Sequence, residues 1–270
     1  MGAAMLGEMV PNVESYVPEP VGDRPALPYA PFPIPKFRKA QGANWKLWQA
    51  YFPAGAGYFL GHRQIRHMQF GLMRNNEAWM TVNPMEIESQ WPHLEAASGH
   101  VLIGGLGMAI MAYAVAAKPE VTKVTVVERD AEVIALARDF AGMDDWPTRD
   151  KIDIVEHDLL TYRHDPAAVP VDFLYVDIWR TYRNDPKVAH MQTIHAHVPA
   201  PRVGYWGQEI EAVDWAVAKG IPVEAFTADT FRAFCEETGL PLIGLEEPSY
   251  PQLCAWAATN PAIAGAAAGQ

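Results

Sequence analysis

The chain has 270 residues, half of them apolar, which is enough for one large domain with its own core. The formal net charge of −11 argues against nucleic acid as a partner, because a phosphate backbone needs a basic surface. No stretch approaches the roughly 18 uninterrupted apolar residues of a membrane span, and two cysteines are too few for a disulfide framework. We therefore expect a cytoplasmic protein without a membrane partner.

The first 40 residues predict an extended arm. Eight prolines fall within residues 11–35, so this segment cannot be helical and can scarcely donate to a sheet. The arm is expected to lie on its own domain, to lie on a neighbouring subunit, or to be mobile. A homodimer formed through the arm is a hypothesis that follows. The low-complexity tail, residues 259–270, is expected to be disordered.

Residues 41–98 are rich in aromatic residues and methionine, with glycines as punctuation. This composition predicts short strands and turns followed by a helix. Pro84 suits the first turn of that helix, and acidic residues follow it, as is favourable near a helix N-terminus. Pro92 is expected to kink or restart the helix.

From residue 99 to residue 258 the pattern becomes a regular alternation of apolar strands and amphipathic helices. Strands are predicted at His100–Ile103, Val121–Glu128, Ile152–Val155, Val171–Asp177 and Arg202–Trp206. Helices are predicted at Met108–Ala117, Asp130–Phe140, Pro186–His195, Glu209–Ala218 and from the cap Thr227 to Glu237. The alternation predicts the α/β class, with a doubly wound, mostly parallel sheet covered on both faces.

Three glycines interrupt the first strand-to-helix connection, in the sequence VLIGGLGMA. Backbone without side chains at these positions indicates that another group approaches the main chain more closely than a side chain would permit. A phosphate-binding loop would need Gly-Lys-Ser/Thr after Gly107, which is absent. A dinucleotide fingerprint would need a third glycine where Ile110 stands. Glu128, at the end of the second strand, suits ribose hydroxyls in either a dinucleotide or an adenosylmethionine fold.

Two further acids follow the third and fourth strands, Asp158 in DIVEHDLL and Asp177 in VDFLYVDIW. With these stretches, the glycine turn and VTKVTVVERDAEVIALAR, the chain resembles class I S-adenosylmethionine-dependent methyltransferases, within them the spermidine-synthase-like branch. The resemblance covers residues 98–180. It implies a Rossmann-like fold in residues 99–258, with residues 41–98 as an extension that covers the cofactor.

The resemblance also implies roles for individual residues toward S-adenosylmethionine. The turn glycines would admit its methionine portion and ribose, Glu128 would accept from both ribose hydroxyls, and Asp158 would accept from the adenine amino group. Asp177 would face the methionine amine or the acceptor. The full set of cofactor residues is Gly104, Gly105, Gly107, Glu128, Arg129, Asp158, Leu159, Asp177, Met80 and Thr81.

The chain departs from the family at several positions. The acid that usually precedes the first glycine and holds the methionine amine is Ile103 here, and the usual third glycine is Ala109. Aminopropyltransferases carry an aspartate in the glycine motif, where this chain has Met108. They also carry Asp-x-x-Asp-Pro after the fourth strand, where this chain has Asp-Ile-Trp-Arg. These departures disfavour polyamine synthesis.

Acceptor and catalytic residues are expected at the carboxyl ends of the fourth and fifth strands. Asp177, Tyr182 and His195 are the catalytic candidates. His195 is a candidate because histidine is the residue type suited to acid–base work near neutrality, and its alternative role is to complement a helix C-terminus. The aromatic substrate candidates are Trp179, Tyr205 and Trp206. No metal is expected, because no acid or cysteine stands beside His195 and His197 to complete a ligand set.

Together these features predict an S-adenosylmethionine-dependent transferase, with methyl transfer to a small-molecule acceptor as the first hypothesis. Two alternatives stay open. One is an enzyme that consumes S-adenosylmethionine by aminopropyl-type transfer, cyclisation or lyase chemistry and releases methylthioadenosine. The other is a non-catalytic binding protein of the same fold.

Overall fold

A computed structural model describes residues 15–16, 29–51, 55–59, 62–63 and 68–266. Where it is described, the proline-rich arm lies on its own domain. Strand β1 (Ser15–Tyr16) pairs antiparallel with β2 (Phe32–Pro33). Phe32 is fully buried and packs against Trp91, whose indole nitrogen donates to the carbonyl of Ala30 at 2.9 Å. The remainder of the arm lies outside the described residues, and dimerisation through it stays a hypothesis.

The described residues between 40 and 81 form a small antiparallel unit. Its strands are β3 (Ala40–Gln41), β4 (Trp45–Tyr51), β5 (Gly55–Ala56), β6 (His62–Arg63), β7 (Met68–Arg74) and β8 (Glu77–Thr81). Strands β3, β4, β7 and β8 make one sheet in that order, and β5 pairs with β6. Asn75 and Asn76 join β7 to β8 with φ values of 49° and 68°, a left-handed turn that asparagine tolerates well.

Helix α1 (Pro84–Ala96) follows the small sheet. Asn83 caps it by accepting from the backbone N–H of Glu86 at 2.8 Å, and Pro84 occupies the first turn, as expected. Helix α1 continues through Pro92, so the expected restart at that residue is wrong, while a kink there stays a prediction. Pro92 is buried, so packing offsets the hydrogen bond that its ring nitrogen cannot donate.

The main sheet is parallel throughout, as the sequence predicts. Its strands are β9 (Gly99–Gly104), β10 (Val121–Glu128), β11 (Ile152–Glu156), β12 (Phe173–Val176) and β13 (Val203–Tyr205). They are ordered β11-β10-β9-β12-β13, so the chain reverses its direction of travel across the sheet between β9 and β12. Gly104 pairs in register with Val127 on one side and Val176 on the other. Ligands of such sheets bind outside the carboxyl ends of the strands at this reversal.

Some helices connect strands of the sheet, and the others follow its last strand. They are α2 (Ile110–Ala117), α3 (Ala131–Phe140), α4 (Lys187–His197), α5 (Gln208–Ala218), α6 (Ala228–Thr238), α7 (Tyr250–Ala258) and α8 (Pro261–Ala266). The predicted α/β class is thereby confirmed. Helix α6 has the expected ends, with Thr227 as its cap and Gly239 after it at φ 67°. Among the described residues, no helix combines the length and apolarity needed to cross a bilayer.

The tail is more ordered than expected. Residues 261–266 form α8, and the preceding Asn260 is buried, donating to the carbonyls of Gly57 at 2.6 Å and Tyr58 at 3.1 Å. Ile263 is also buried. Alanine has a high helix propensity and Ile263 supplies an apolar anchor, which together explain why a low-complexity segment is helical here. Residues 267–270 lie outside the described part of the chain.

Candidate active site

The glycine turn is shaped by close packing against the protein itself. Gly105 has φ 91°, and a Cβ there would overlap the backbone carbonyl oxygen of Asp177. A Cβ on Gly107, at φ 49°, would lie 2.6 Å from the sulfur of Met80, and one on Gly104 would overlap Leu159. The groups that approach the bare backbone of the glycine turn therefore include residues of the protein itself, at the ends of neighbouring strands and at Met80.

Glu128 ties this turn to the next strand. Its Oε2 accepts from the backbone N–H of Leu106 at 2.9 Å, and its Oε1 accepts from the backbone N–H of Asp130 at 2.9 Å. A carboxylate oxygen has two lone pairs, so each oxygen can accept a second hydrogen bond. Glu128 thus holds the turn in place and keeps acceptor capacity toward a ligand.

A cavity of about 310 Å³ opens over the carboxyl ends of β9 to β12. It brings together most of the residues predicted to hold a cofactor: Gly105, Gly107, Glu128, Arg129, Asp158, Leu159, Asp177 and Met80. Gly104 ends β9 behind the turn, and Thr81 lines an adjoining cavity. Asp158 is exposed, and its Oδ1 accepts from the backbone N–H of Leu160 at 3.0 Å.

The small sheet forms the opposite wall of this cavity, which is called the cofactor cavity below after the role predicted for its residues. Trp45 donates from its indole nitrogen to Asp130 at 2.8 Å, and its ring lies 5.2 Å from that of Trp79. The Met80 sulfur accepts from the backbone N–H of Met108 at 3.1 Å. These contacts attach the small sheet to the glycine turn and to the start of α3.

Two carboxyls and an amide face the same cavity, and two of these three residues are absent from the predicted site. Glu86 and Gln90, one turn apart on α1, line it together with Asp177. Burial and the nearby charge of Asp177 raise the pKa of Glu86 to about 8. Burial raises the pKa of Asp177 to about 7, against the opposing effect of Lys187. The pair of acids therefore retains a proton at neutral pH in the absence of a cation.

An adjoining cavity of about 380 Å³ shares a wall with the cofactor cavity. The shared residues are Trp79, Met80, Glu86 and Trp206. The predicted catalytic residue Tyr182 lines the adjoining cavity, stacked on Trp206 at 4.0 Å. Burial raises the pKa of Tyr182 well above its ordinary value, so its hydroxyl stays protonated and can donate a hydrogen bond.

Two predicted residues lie outside both cavities. His195 is near the end of α4, where its Nε2 lies 2.9 Å from the carbonyl oxygen of Ala200. Its alternative reading as a helix-terminal histidine fits this position. Tyr205 is fully buried and donates to Glu211 at 2.9 Å, so it cannot contact a substrate. Trp179 does line the cofactor cavity, and its indole nitrogen donates to Nδ1 of His190 at 3.0 Å.

A buried lysine contacts residues that line the two cavities, and it is not among the site residues predicted from the sequence. Lys187 begins α4, donates to the carbonyl of Tyr182 at 3.1 Å and lies 4.8 Å from the ring centre of Trp206. Burial lowers its pKa to about 8. Its ammonium group thus contacts Tyr182 by a hydrogen bond and Trp206 by a cation–π interaction.

Comparison with known proteins gives distant likenesses only. No protein-family model and no curated protein matches the chain. Among solved structures, the methyltransferase domain of bacterial CtHen1-C is 18% identical with a TM-score of 0.33, over 41% of this chain and 57% of that one. The Trypanosoma brucei PRMT1 enzyme–prozyme complex with AdoHcy is 19% identical with a TM-score of 0.34, over 43% and 36%.

The glycopeptide N-methyltransferase MtfA, complexed with sinefungin, is 21% identical with a TM-score of 0.30, over 38% of this chain and 39% of that one. This chain thus spans less than two thirds of each of these three structures. Identities and TM-scores this low do not establish a family. The function of the chain is therefore argued from the geometry of its two cavities.

Proposed function

We propose that the chain is an S-adenosylmethionine-dependent methyltransferase that acts on a small molecule. The observation that carries this proposal is the cofactor cavity, where the glycine turn, Glu128, Asp158 and Asp177 meet at the carboxyl ends of β9 to β12. These are the sheet edge and the chain reversal at which a nucleoside ligand binds in this class of fold.

The residues present fit S-adenosylmethionine. Glu128 keeps unused lone pairs that suit a vicinal diol, and Asp158 lines the same cavity just after the neighbouring strand β11, where it can accept from an adenine amino group. Gln90 has a buried Oε1 without a hydrogen-bond partner, which suits a polar ligand group. The cavity volume of about 310 Å³ lies at the lower end of the usual range for small-molecule sites.

The bound cofactor would supply a methyl group activated by a sulfonium. Toward it, Trp79, Trp179 and Trp206 line the cavity with aromatic side chains. The adjoining cavity would hold the acceptor, with Tyr182 donating a hydrogen bond to orient it. The chain would thus act mainly by alignment and by excluding water.

The test is incubation with S-adenosylmethionine and a panel of small amines, phenols and thiols, followed by chromatography of the nucleosides. S-Adenosylhomocysteine formed with a panel member, and lost in Glu128→Ala, supports methyl transfer. Methylthioadenosine instead would indicate that the cofactor is consumed. Absence of both products, together with absence of S-adenosylhomocysteine binding in calorimetry, would contradict the proposal.

A further inference from the structure

A buried polar patch lines part of the cofactor cavity. It consists of Glu86, Gln90 and Asp177, and is called the acidic patch below. Glu86 Oε1 accepts from Gln90 Nε2 at 2.7 Å, while Gln90 Oε1 has no hydrogen-bond partner among the described residues although Gln90 is 2% exposed. A buried unpartnered acceptor is costly, and its presence indicates a ligand group that donates.

The chemistry of the acidic patch selects a cation. Carboxylates and an amide oxygen are acceptors, and an ammonium group has three donors to give them. Two neighbouring buried carboxyls resist ionising together, and a cation between them removes that resistance. Lys187 lowers the pKa of Asp177 without eliminating its burial-driven rise, so the buried lysine leaves the patch short of positive charge.

The position of the acidic patch assigns it to the cofactor rather than to the acceptor. Asp177 directly follows β12, donates from its backbone N–H to Gly104 at 2.8 Å and packs its carbonyl on Gly105. Gln90 and Asp177 line only the cofactor cavity, whereas Glu86 also reaches the adjoining one. An ammonium group that contacts Glu86, Gln90 and Asp177 together must therefore lie in the cofactor cavity, beside the glycine turn.

Strand β9 offers no acid for such a group. Its residue Ile103 is apolar and 1% exposed, packed inside the sheet. Helix α1 instead passes over the end of the sheet, and the cap at Asn83 fixes the turn that carries Glu86. The acid needed at this end of the cavity is thus available from a neighbouring helix.

We propose that Glu86, Gln90 and Asp177 receive the α-ammonium of the methionine arm of S-adenosylmethionine, in place of an acid on the first strand. This inference rests on the proposed function. It assigns a binding role to α1 that goes beyond covering the cavity, and it places Asp177 on the cofactor side of the reaction.

The test compares two ligands that differ in this arm. S-Adenosylhomocysteine carries the ammonium, and 5′-methylthioadenosine has the same nucleoside and a thioether without the amino-acid arm. Binding of both is measured by calorimetry on the wild type, Glu86→Gln and Gln90→Leu. The matched control is Glu209→Gln, which changes a carboxyl that is also fully buried but lines neither cavity.

Both patch variants should weaken S-adenosylhomocysteine binding about tenfold or more, the scale of a hydrogen bond to a charged group, and change methylthioadenosine binding less than about twofold. The control should change neither affinity. Equal losses for both ligands in a variant with native melting behaviour, or no loss for either, would overturn the inference. If the wild type binds neither ligand, the proposed function itself fails, which is a distinguishable result.

Discussion

Replacing Gly105 by alanine tests the packing on which the site is built. The residue has φ 91°, and an added Cβ would overlap the backbone carbonyl of Asp177, which no side-chain rotation can relieve. A left-handed backbone costs a non-glycine residue about 1–2 kcal/mol, and forcing an atom into a packed contact costs about 1–3 kcal/mol more. Gly105→Ala should therefore lower the free energy of unfolding by about 2–5 kcal/mol.

Gly220 provides the matched control. Its φ of 82° is similar, but a Cβ there would meet no atom within 4 Å. Gly220→Ala should lower the free energy of unfolding only by the strain of the left-handed backbone, about 1–2 kcal/mol. Urea unfolding of both variants, with unchanged m-values, measures the difference. Equal losses of stability in the two variants would refute the close approach of the glycine turn to the end of β12.

Three further predictions concern the site. Glu128→Ala should weaken S-adenosylhomocysteine binding by about 1.5–3 kcal/mol in calorimetry, and an unchanged dissociation constant would contradict its ribose role. His195→Ala should leave that affinity and the turnover unchanged, since the residue lies outside both cavities; a large loss of turnover would restore its catalytic assignment. The contribution of Glu86 and Asp177 to the free energy of unfolding should fall as pH rises from about 5 to 8, because their raised pKa values (about 8 and about 7) make these two groups bind more protons in the folded state than in the unfolded chain. Glu86→Gln should make that slope shallower in chemical denaturation across this pH range, and an unchanged slope would show that Glu86 is ionised in the folded protein.

The sequence was sufficient for the sheet and for one side of the site. Apolar β-branched runs alternate with amphipathic helices, and chain order then brings the residues after successive strands to one edge. Glu128, Asp158 and Asp177 could be predicted for this reason. Their side chains follow strands whose ends must be neighbours in a parallel sheet.

The other side of the site depends on how helices pack over that edge, which local patterns do not encode. Glu86 looks like any acid in a first helical turn, and nothing in its neighbourhood predicts burial beside Asp177. Lys187 is fully buried although lysine almost always lies at the surface. His195 was chosen from its residue type, which says nothing of its position, and the structure places it outside both cavities.

The central claim is that one adenosine-bearing ligand occupies the cavity above the glycine turn. A crystal structure of the protein grown with S-adenosylhomocysteine tests it most directly. We predict density for the ligand with its ribose hydroxyls on Glu128, its adenine amino group toward Asp158 and its ammonium on Glu86. A well-ordered crystal whose cavity shows no ligand density, or that binds the nucleoside elsewhere, would contradict the account.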